Sequence, residues 1–358
     1  MTPHRRFYRA AVSIIGAVGL LTAAAAYASG STKPKPVIGY DSSLTRAPAA
    51  AEVGHPTKAI CNGRHYTIGF DVYSHTDGFS IANIDDFMKV SKQLGCVTPV
   101  ILVDNADPTT IIQNINTFVE RHVDGVILAQ VVAAAQPGVM AILNKAHIPT
   151  VATYVVAPTA PFIDVNDGQA GYKGGLAVGQ AFAKKYPGVK PYVIIGQFPE
   201  GGPVSVQRMN GFQNGVEHAI SGIPSDQILG LDTKADPPTA NTETSSVLQR
   251  IPSNGKIIFS GINDVVTYAM LQAIKSAGRE GDAMAMGMGG DPGGRGFMCS
   301  NQPTYYGTVG FFPDRYFNYL LPAVIGMING ERMPQRIVMP VEVLTAATVK
   351  QYYSSAAC

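Results

Sequence analysis

Tryptophan is absent, cysteine occurs only four times in 358 residues, and charged residues make up just 15% of the chain. So little charge beside 46% hydrophobic residues excludes both a disordered chain and a coiled coil, whose compositions are charge-rich. The 27 basic and 25 acidic residues leave a formal charge of +2, with no electrostatic footprint for nucleic acid. Cys61, Cys96, Cys299 and Cys358 show no Cys-x-x-Cys spacing and no neighbouring His pair, which argues against zinc or redox chemistry. The seven His are scattered. There is no Gly-x-Ser-x-Gly elbow, no phosphate-binding Gly-x-x-x-x-Gly-Lys-Ser/Thr loop and no His-Glu-x-x-His, and MGMGGDPGG does not satisfy Gly-x-Gly-x-x-Gly. No catalytic residue, cofactor or metal site is therefore expected. Paired carboxylates meeting across a cleft would still permit an exported carbohydrate-active enzyme.

One long apolar run is present, at the N-terminus. Arg5, Arg6 and Arg9 precede an uncharged stretch from Ala10 to Ala26, and Ala26-Tyr27-Ala28 supplies a small-x-small end. This reads as a cleaved export signal over 1–28, with an uncleaved anchor as the alternative. Its removal takes away three arginines and moves the formal charge from +2 to −1. Residues 29–60, rich in Pro, Ala and small polar residues, read as a flexible tether. The remainder suits about two domains of roughly 150 residues each.

From Tyr66 onward short apolar strands alternate with amphipathic helices. Strands are expected over 67–72, 97–103, 125–129, 149–154 and 162–165, with helices over 79–94, 108–122 and 132–146. The pattern restarts with strands over 192–198, 228–231, 257–260, 284–288 and 308–311, and helices over 204–220, 239–250, 265–277 and 314–329. Near-continuous apolar strands between helices imply parallel sheets covered on both faces. The fold class is thus α/β, with two doubly wound parallel-sheet lobes, a hinge and a cleft between them. In such sheets ligands sit beyond the carboxyl ends of the strands. Cys61 precedes the first strand and Cys96 begins the second, so the two lie side by side in a parallel βαβ unit and are expected to bridge. Cys299–Cys358 follows by elimination; free buried thiols are the alternative in either case.

The chain resembles periplasmic solute-binding proteins of the ribose-binding type over 65–353. The resemblance is carried by YTIGFDVYSHTDGFSIANIDDFMKVSKQLG, HVDGVILAQVVAAAQPGVMAILNKAHIPTV, DVNDGQAGYKGGLAVGQAF, SVQRMNGFQNGV, FSGINDVVTYAMLQAIKSAG, MGMGGDP and GTVGFFPDRY, in that order. It implies a monomeric periplasmic or extracellular receptor that hands a small ligand, usually a sugar, to the membrane permease of an ABC importer. A sensory co-receptor that presents its closed form to a membrane receptor would carry the same pocket. A DNA-binding repressor shares the fold, but the N-terminus here offers no helix-turn-helix. The resemblance places lobe crossings near 166, 311 and 340. That divides the chain into an N-terminal lobe of 61–166 plus 312–340 and a C-terminal lobe of 167–311 plus 341–358.

A sugar needs rings to stack on and planar polar side chains to hold its hydroxyls. Tyr73, Asp77 and Phe79 follow the first strand; Phe79 matches the stacking ring and Asp77 a polar contact, or else a helix cap. Gln130 matches a polar contact, or is an exposed loop amide. Tyr154 stands where the ribose-type pattern carries a charged pair, a departure that puts ribose itself in doubt. Asn166 and Asp167 lie at the first crossing, as ligand contacts or as hinge and cap. Arg208 is a ligand contact or half of a structural ion pair. Asn263 is the expected polar anchor, with Asp264 as the helix cap. Asp291 matches the ligand Asp if the extra glycine beside it is absorbed, and Phe311 replaces a family Gln and lies over the ligand or in the core. A set this aromatic and this uncharged suits a neutral sugar or polyol.

Overall fold

The computed structural model describes residues 56–300, 303–356 and 358. The expected export signal and most of the tether lie outside the described residues. The chain builds β1 (Tyr66–Val72), α1 (Gly78–Leu94), β2 (Val97–Val103), α2 (Pro108–Glu120), β3 (Gly125–Ala129), α3 (Gln136–Lys145), β4 (Thr150–Ala152) and β5 (Phe162–Val165). It continues with α4 (Asp167–Lys185), β6 (Tyr192–Gln197), α5 (Pro203–Ala219), β7 (Ile228–Asp232), α6 (Pro237–Leu248), β8 (Ile257–Gly261), α7 (Asp264–Ser276) and β9 (Ala283–Gly289). Then come α8 (Pro292–Cys299), β10 (Tyr305–Gly310), α9 (Phe317–Ile328), β11 (Arg336–Met339) and β12 (Glu342–Thr345).

The strands form two six-stranded sheets, ordered β11-β5-β4-β3-β1-β2 and β12-β10-β9-β8-β6-β7. Every pairing is parallel except β10 with β12. The expected pair of doubly wound lobes is what is found. Helices on both faces bury the inner strands throughout, as β3, β8 and β9 show, whereas the edge strands β2 and β7 are only partly covered. The chain passes between the sheets three times, after β5, after β10 and after β11.

Four elements are unexpected, α4, α8, β11 and β12, and α9 starts later than expected. Glycine disfavours helix, and α4 holds five glycines among nineteen residues, so no helix is predicted there. The structure explains them by contact with α5. A methyl on Gly175 would run into the carbonyl oxygen of Phe212 and sit 2.9 Å from its carbonyl carbon, and one on Gly171 would run into the Arg208 carbonyl. The helices touch backbone to backbone, which only glycine permits. The helix expected from 314 begins instead as a 3-10 turn, Pro313–Arg315, before α9. Buried Asp86 of α1 accepts the Phe317 N–H at 2.8 Å and so caps α9 from outside.

In the first lobe, Phe70, Phe87 and Phe317 form a ring cluster with centroids 4.5 to 5.6 Å apart. Cys61–Cys96 and Cys299–Cys358 are both bridged. The first bridge ties the segment entering β1 to the start of β2, and the second ties the end of α8 to the C-terminus.

Candidate functional site

Both sheets direct their carboxyl ends toward one another, and a cavity of about 210 Å³ lies between them. Its lining comes from the turns after β1, β2, β3 and β4 on one side and after β6, β7, β8 and β10 on the other, with the last residues of β9. The turns after β2 and β7 are built alike. Asn105 and Ala106 have φ of 53° and 57°, and Lys234 and Ala235 have φ of 54° and 53°, so each lobe offers one alanine to the cavity. The rims are in contact. A methyl on Gly202 would stand 2.9 Å from the Ala133 methyl, and one on Gly78 would stand 3.3 Å from the Asp291 carboxylate.

Six of the residues singled out from sequence meet in this cavity: Tyr73, Phe79, Tyr154, Arg208, Asn263 and Phe311. Phe79 is the centre of the wall. Its ring centroid lies 5.7 Å from Tyr154, 6.3 Å from Phe311 and 5.7 Å from Tyr316, all edge-to-face, and Tyr73 lies 5.9 Å from Tyr154. Each such contact sets the positive edge of one ring against the negative face of the next, which holds the wall together. Tyr154 holds an unusual backbone angle, φ 65°, pinned because its N–H donates to Asp164 at 2.7 Å. Burial raises the hydroxyl pKa of Tyr73, Tyr154 and Tyr316 well above the ordinary value, so all three stay protonated donors.

Arg208 combines both roles open to it. Its Nε and Nη2 donate to Asp167 Oδ1 at 2.8 and 2.5 Å, and Nη1 donates to the Ile262 carbonyl at 2.8 Å. The guanidinium carbon lies 4.8 Å from the Phe311 ring centroid. The ion pair therefore fixes a cation against the cavity wall. Burial lifts the Asp167 carboxyl to about 6 against the opposing pull of Arg208. Asn263 lines the cavity while its Oδ1 accepts the Val266 N–H at 2.9 Å, making it the cap of α7.

That capping role had been expected of Asp264, which is instead buried one residue further on. There it accepts from the Gly290 and Asp291 N–H groups and the Tyr305 and Thr308 hydroxyls. It thereby holds the Gly289–Asp291 turn that closes one end of the cavity.

Four other residues read from sequence are outside the lining. Asp77 caps α1, accepting from the Phe79 and Ser80 N–H groups at 3.1 and 3.0 Å. Asn166 caps α4 through Gln169 N–H at 3.0 Å, and Asp291 caps α8 through Gly294 N–H at 2.6 Å. Burial and the Asp264 charge hold the Asp291 carboxyl up at about 7. Gln130 is buried behind Val131, its amide donating to Asp71 and its carbonyl accepting from Gln136 at 2.7 Å. The reason is common to the three caps. A strand-end turn that opens a helix leaves bare N–H groups, and the nearest Asp or Asn satisfies them before any ligand can.

The cavity also contains residues not anticipated: Tyr316, Asp164, Phe198, Ser205, Lys234 and Met288. Phe198, Lys234 and Met288 sit at strand carboxyl ends, where the fold rule alone would have pointed. Tyr316, on the crossing segment before α9, donates its hydroxyl to Asp164 at 3.0 Å and carried no such signal. Among the described residues no cluster of His, Cys, Asp or Glu could hold a metal ion.

The comparisons with known proteins agree with this geometry. A solute-binding protein of an ABC transporter from Actinobacillus succinogenes, solved with D-allose, is 16% identical. It covers 80% of this chain and 100% of its own, with a TM-score of 0.67. Its counterpart from Bacillus halodurans, solved with myo-inositol, is 18% identical and covers 81% and 98%, with a TM-score of 0.69. The transcription regulator CcpA of Lactococcus lactis is 14% identical and covers 79% and 98%, with a TM-score of 0.64. At these identities the likeness is one of fold. No curated protein matches the chain at a significant level. The model of the periplasmic binding protein domain, however, matches residues 68–332, and the chain belongs to that family, one of solute-binding domains rather than enzymes.

Proposed function

We propose that the protein is an exported receptor that closes around one neutral sugar or polyol and delivers it to an ABC importer. The observation that carries this reading is the ring cluster of Phe79, Tyr154, Phe311 and Tyr316 beside Arg208 and Asn263, enclosed between the strand ends of two lobes. Rings take the C–H face of a sugar, and the amide and guanidinium take its oxygens. The D-allose and myo-inositol bound by the two relatives are ligands of this kind. Two disulfides suit an oxidising compartment, in keeping with the signal read over 1–28. Three crossing segments would serve as the hinge, and a ligand that prefers the closed form would shift the population toward it.

A thermal-shift screen over pentoses, hexoses and polyols tests the ligand class. A shift with amino acids or nucleosides and with no saccharide overturns it. Crosslinking in cells then distinguishes delivery from sensing, because an importer permease is the expected partner and capture of a membrane receptor kinase alone would refute delivery.

A further inference from the structure

The turns that end the two edge strands share one build. Asp104-Asn105-Ala106-Asp107-Pro108 follows β2, and Thr233-Lys234-Ala235-Asp236-Pro237 follows β7. Among the described residues, Asn105-Ala106 and Lys234-Ala235 are the only two consecutive pairs of non-glycine residues with positive φ. That region of backbone crowds Cβ against the following carbonyl oxygen, and glycine enters it without strain. Both lobes set alanine there instead. Each turn is also fixed against the helix that follows. The Ala106 N–H donates to Asp104 Oδ1 at 2.6 Å, and the Asp107 and Asp236 N–H groups donate to the Asp104 and Thr233 carbonyls at 3.0 and 2.9 Å. The Asp107 and Asp236 carboxylates then cap α2 and α6.

β2 and β7 are outermost in their sheets on the cavity side, so the turns after them bound the cavity laterally. The β2 turn contributes Ala106 alone to the lining, and the β7 turn contributes Ala235 beside Lys234, whose ammonium is held by Glu200 and Asp232. Ala106 is exposed and Ala235 half-buried, so no protein group fully covers either. The cavity, at about 210 Å³, lies below the range of roughly 300–1,000 Å³ that holds drug-sized ligands. In a pocket this small, one methylene more or less changes affinity about tenfold or more.

We infer that Ala106 and Ala235 set the size of the ligand: their methyl groups are lateral stops that decide between a pentose and a hexose. This rests on the saccharide reading above. The test is calorimetric titration of the purified protein with matched pairs: D-ribose and D-allose, D-xylose and D-glucose, L-arabinose and D-galactose, D-lyxose and D-mannose. In each pair the hexose is the pentose pyranose ring with one added hydroxymethyl group. The Ala106→Gly/Ala235→Gly double variant takes the same backbone without strain and should keep its fold. In the pair that binds, it should move the ratio of the two affinities toward the hexose by about tenfold.

Ala106→Asn/Ala235→Asn supplies the opposite perturbation. Asparagine tolerates positive φ better than most residues while adding bulk, and this variant should lose the hexose first. A merely structural role for the two alanines would alter both sugars together and leave the ratio where it was. An unchanged ratio in the folded double-glycine variant therefore overturns the inference and leaves the saccharide reading standing. Silence of the unaltered protein across all four pairs also overturns it. The saccharide reading falls as well only if the wider screen of sugars and polyols is silent too.

Discussion

Gly175→Ala should destabilise the protein although alanine is the better helix former. The new methyl would run into the Phe212 carbonyl and lie 3.0 Å from the Val216 nitrogen. Both are backbone atoms inside a helix and cannot turn aside, so α4 and α5 must part. Overpacking of this kind costs about 1–3 kcal/mol and more where backbone must move, against about 1 kcal/mol gained in helix propensity. A net loss of about 2 kcal/mol is expected.

The separation has a second effect. Arg208 lies on α5 and its partner Asp167 on α4, so parting the helices stretches the ion pair that presents the guanidinium to the cavity. The control is Gly296→Ala in α8, where an added methyl meets nothing within 4 Å. That change should stabilise by up to about 1 kcal/mol. Urea denaturation of both variants, together with ligand titration, is the assay. If Gly175→Ala matched Gly296→Ala in sign, the glycine contact would not be what holds these helices together.

Phe79→Ala removes the ring shared by the Tyr154, Phe311 and Tyr316 contacts and should weaken ligand binding about tenfold or more by calorimetry, with the fold retained by circular dichroism. An unaltered affinity would remove Phe79 from the site. Stability should also depend on pH through Asp86, whose carboxyl burial lifts from 3.8 to about 7. Because the folded value lies above the unfolded one, its contribution is complete below pH 4 and is lost as the pH rises through 7. Asp86→Asn, which can still accept the Phe317 N–H, should therefore raise stability at pH 8 by up to about 4 kcal/mol and leave it unchanged at pH 4. An equal difference at both pH values would refute the burial argument. Reduction of Cys61–Cys96, whose ends are 35 positions apart in sequence, should cost about 4 kcal/mol in a denaturant titration. A loss under about 1 kcal/mol would show the loop to be constrained by other means.

Most of the fold was legible because it rests on local rules. β2, β3 and β5 occupy the expected residues since continuous apolar runs between turn signals admit little else. The helix α4 was hidden because its glycines answer to a partner helix far along the chain, Gly171 to Arg208 and Gly175 to Phe212, a contact no local pattern displays. The site was half legible for a related reason. Aromatic residues at strand ends, such as Phe79 and Tyr154, have no backbone duty and end in the cavity. Asp77, Asn166 and Asp291 carry side chains that a helix end can claim, and it does. Asn263 does both because its amide has two ends. Tyr316 was invisible because its place depends on where the chain recrosses between the lobes.

The rims touch through some of the smallest residues available. Gly202 against Ala133 is roughly a methyl's worth of contact, about 0.8 kcal/mol, and Gly78 against Asp291 adds no apolar burial to speak of. Driving a two-state hinge from mostly open to mostly shut takes about 5.5 kcal/mol. Those two contacts alone fall far short, so the rest of the closing energy has to come from the cleft, where Phe79 of the first lobe meets Phe311 and Gly289 of the second, and from whatever lies between them. If the protein is the receptor proposed above, a larger residue at either rim would change how often the empty molecule closes before it changed the affinity.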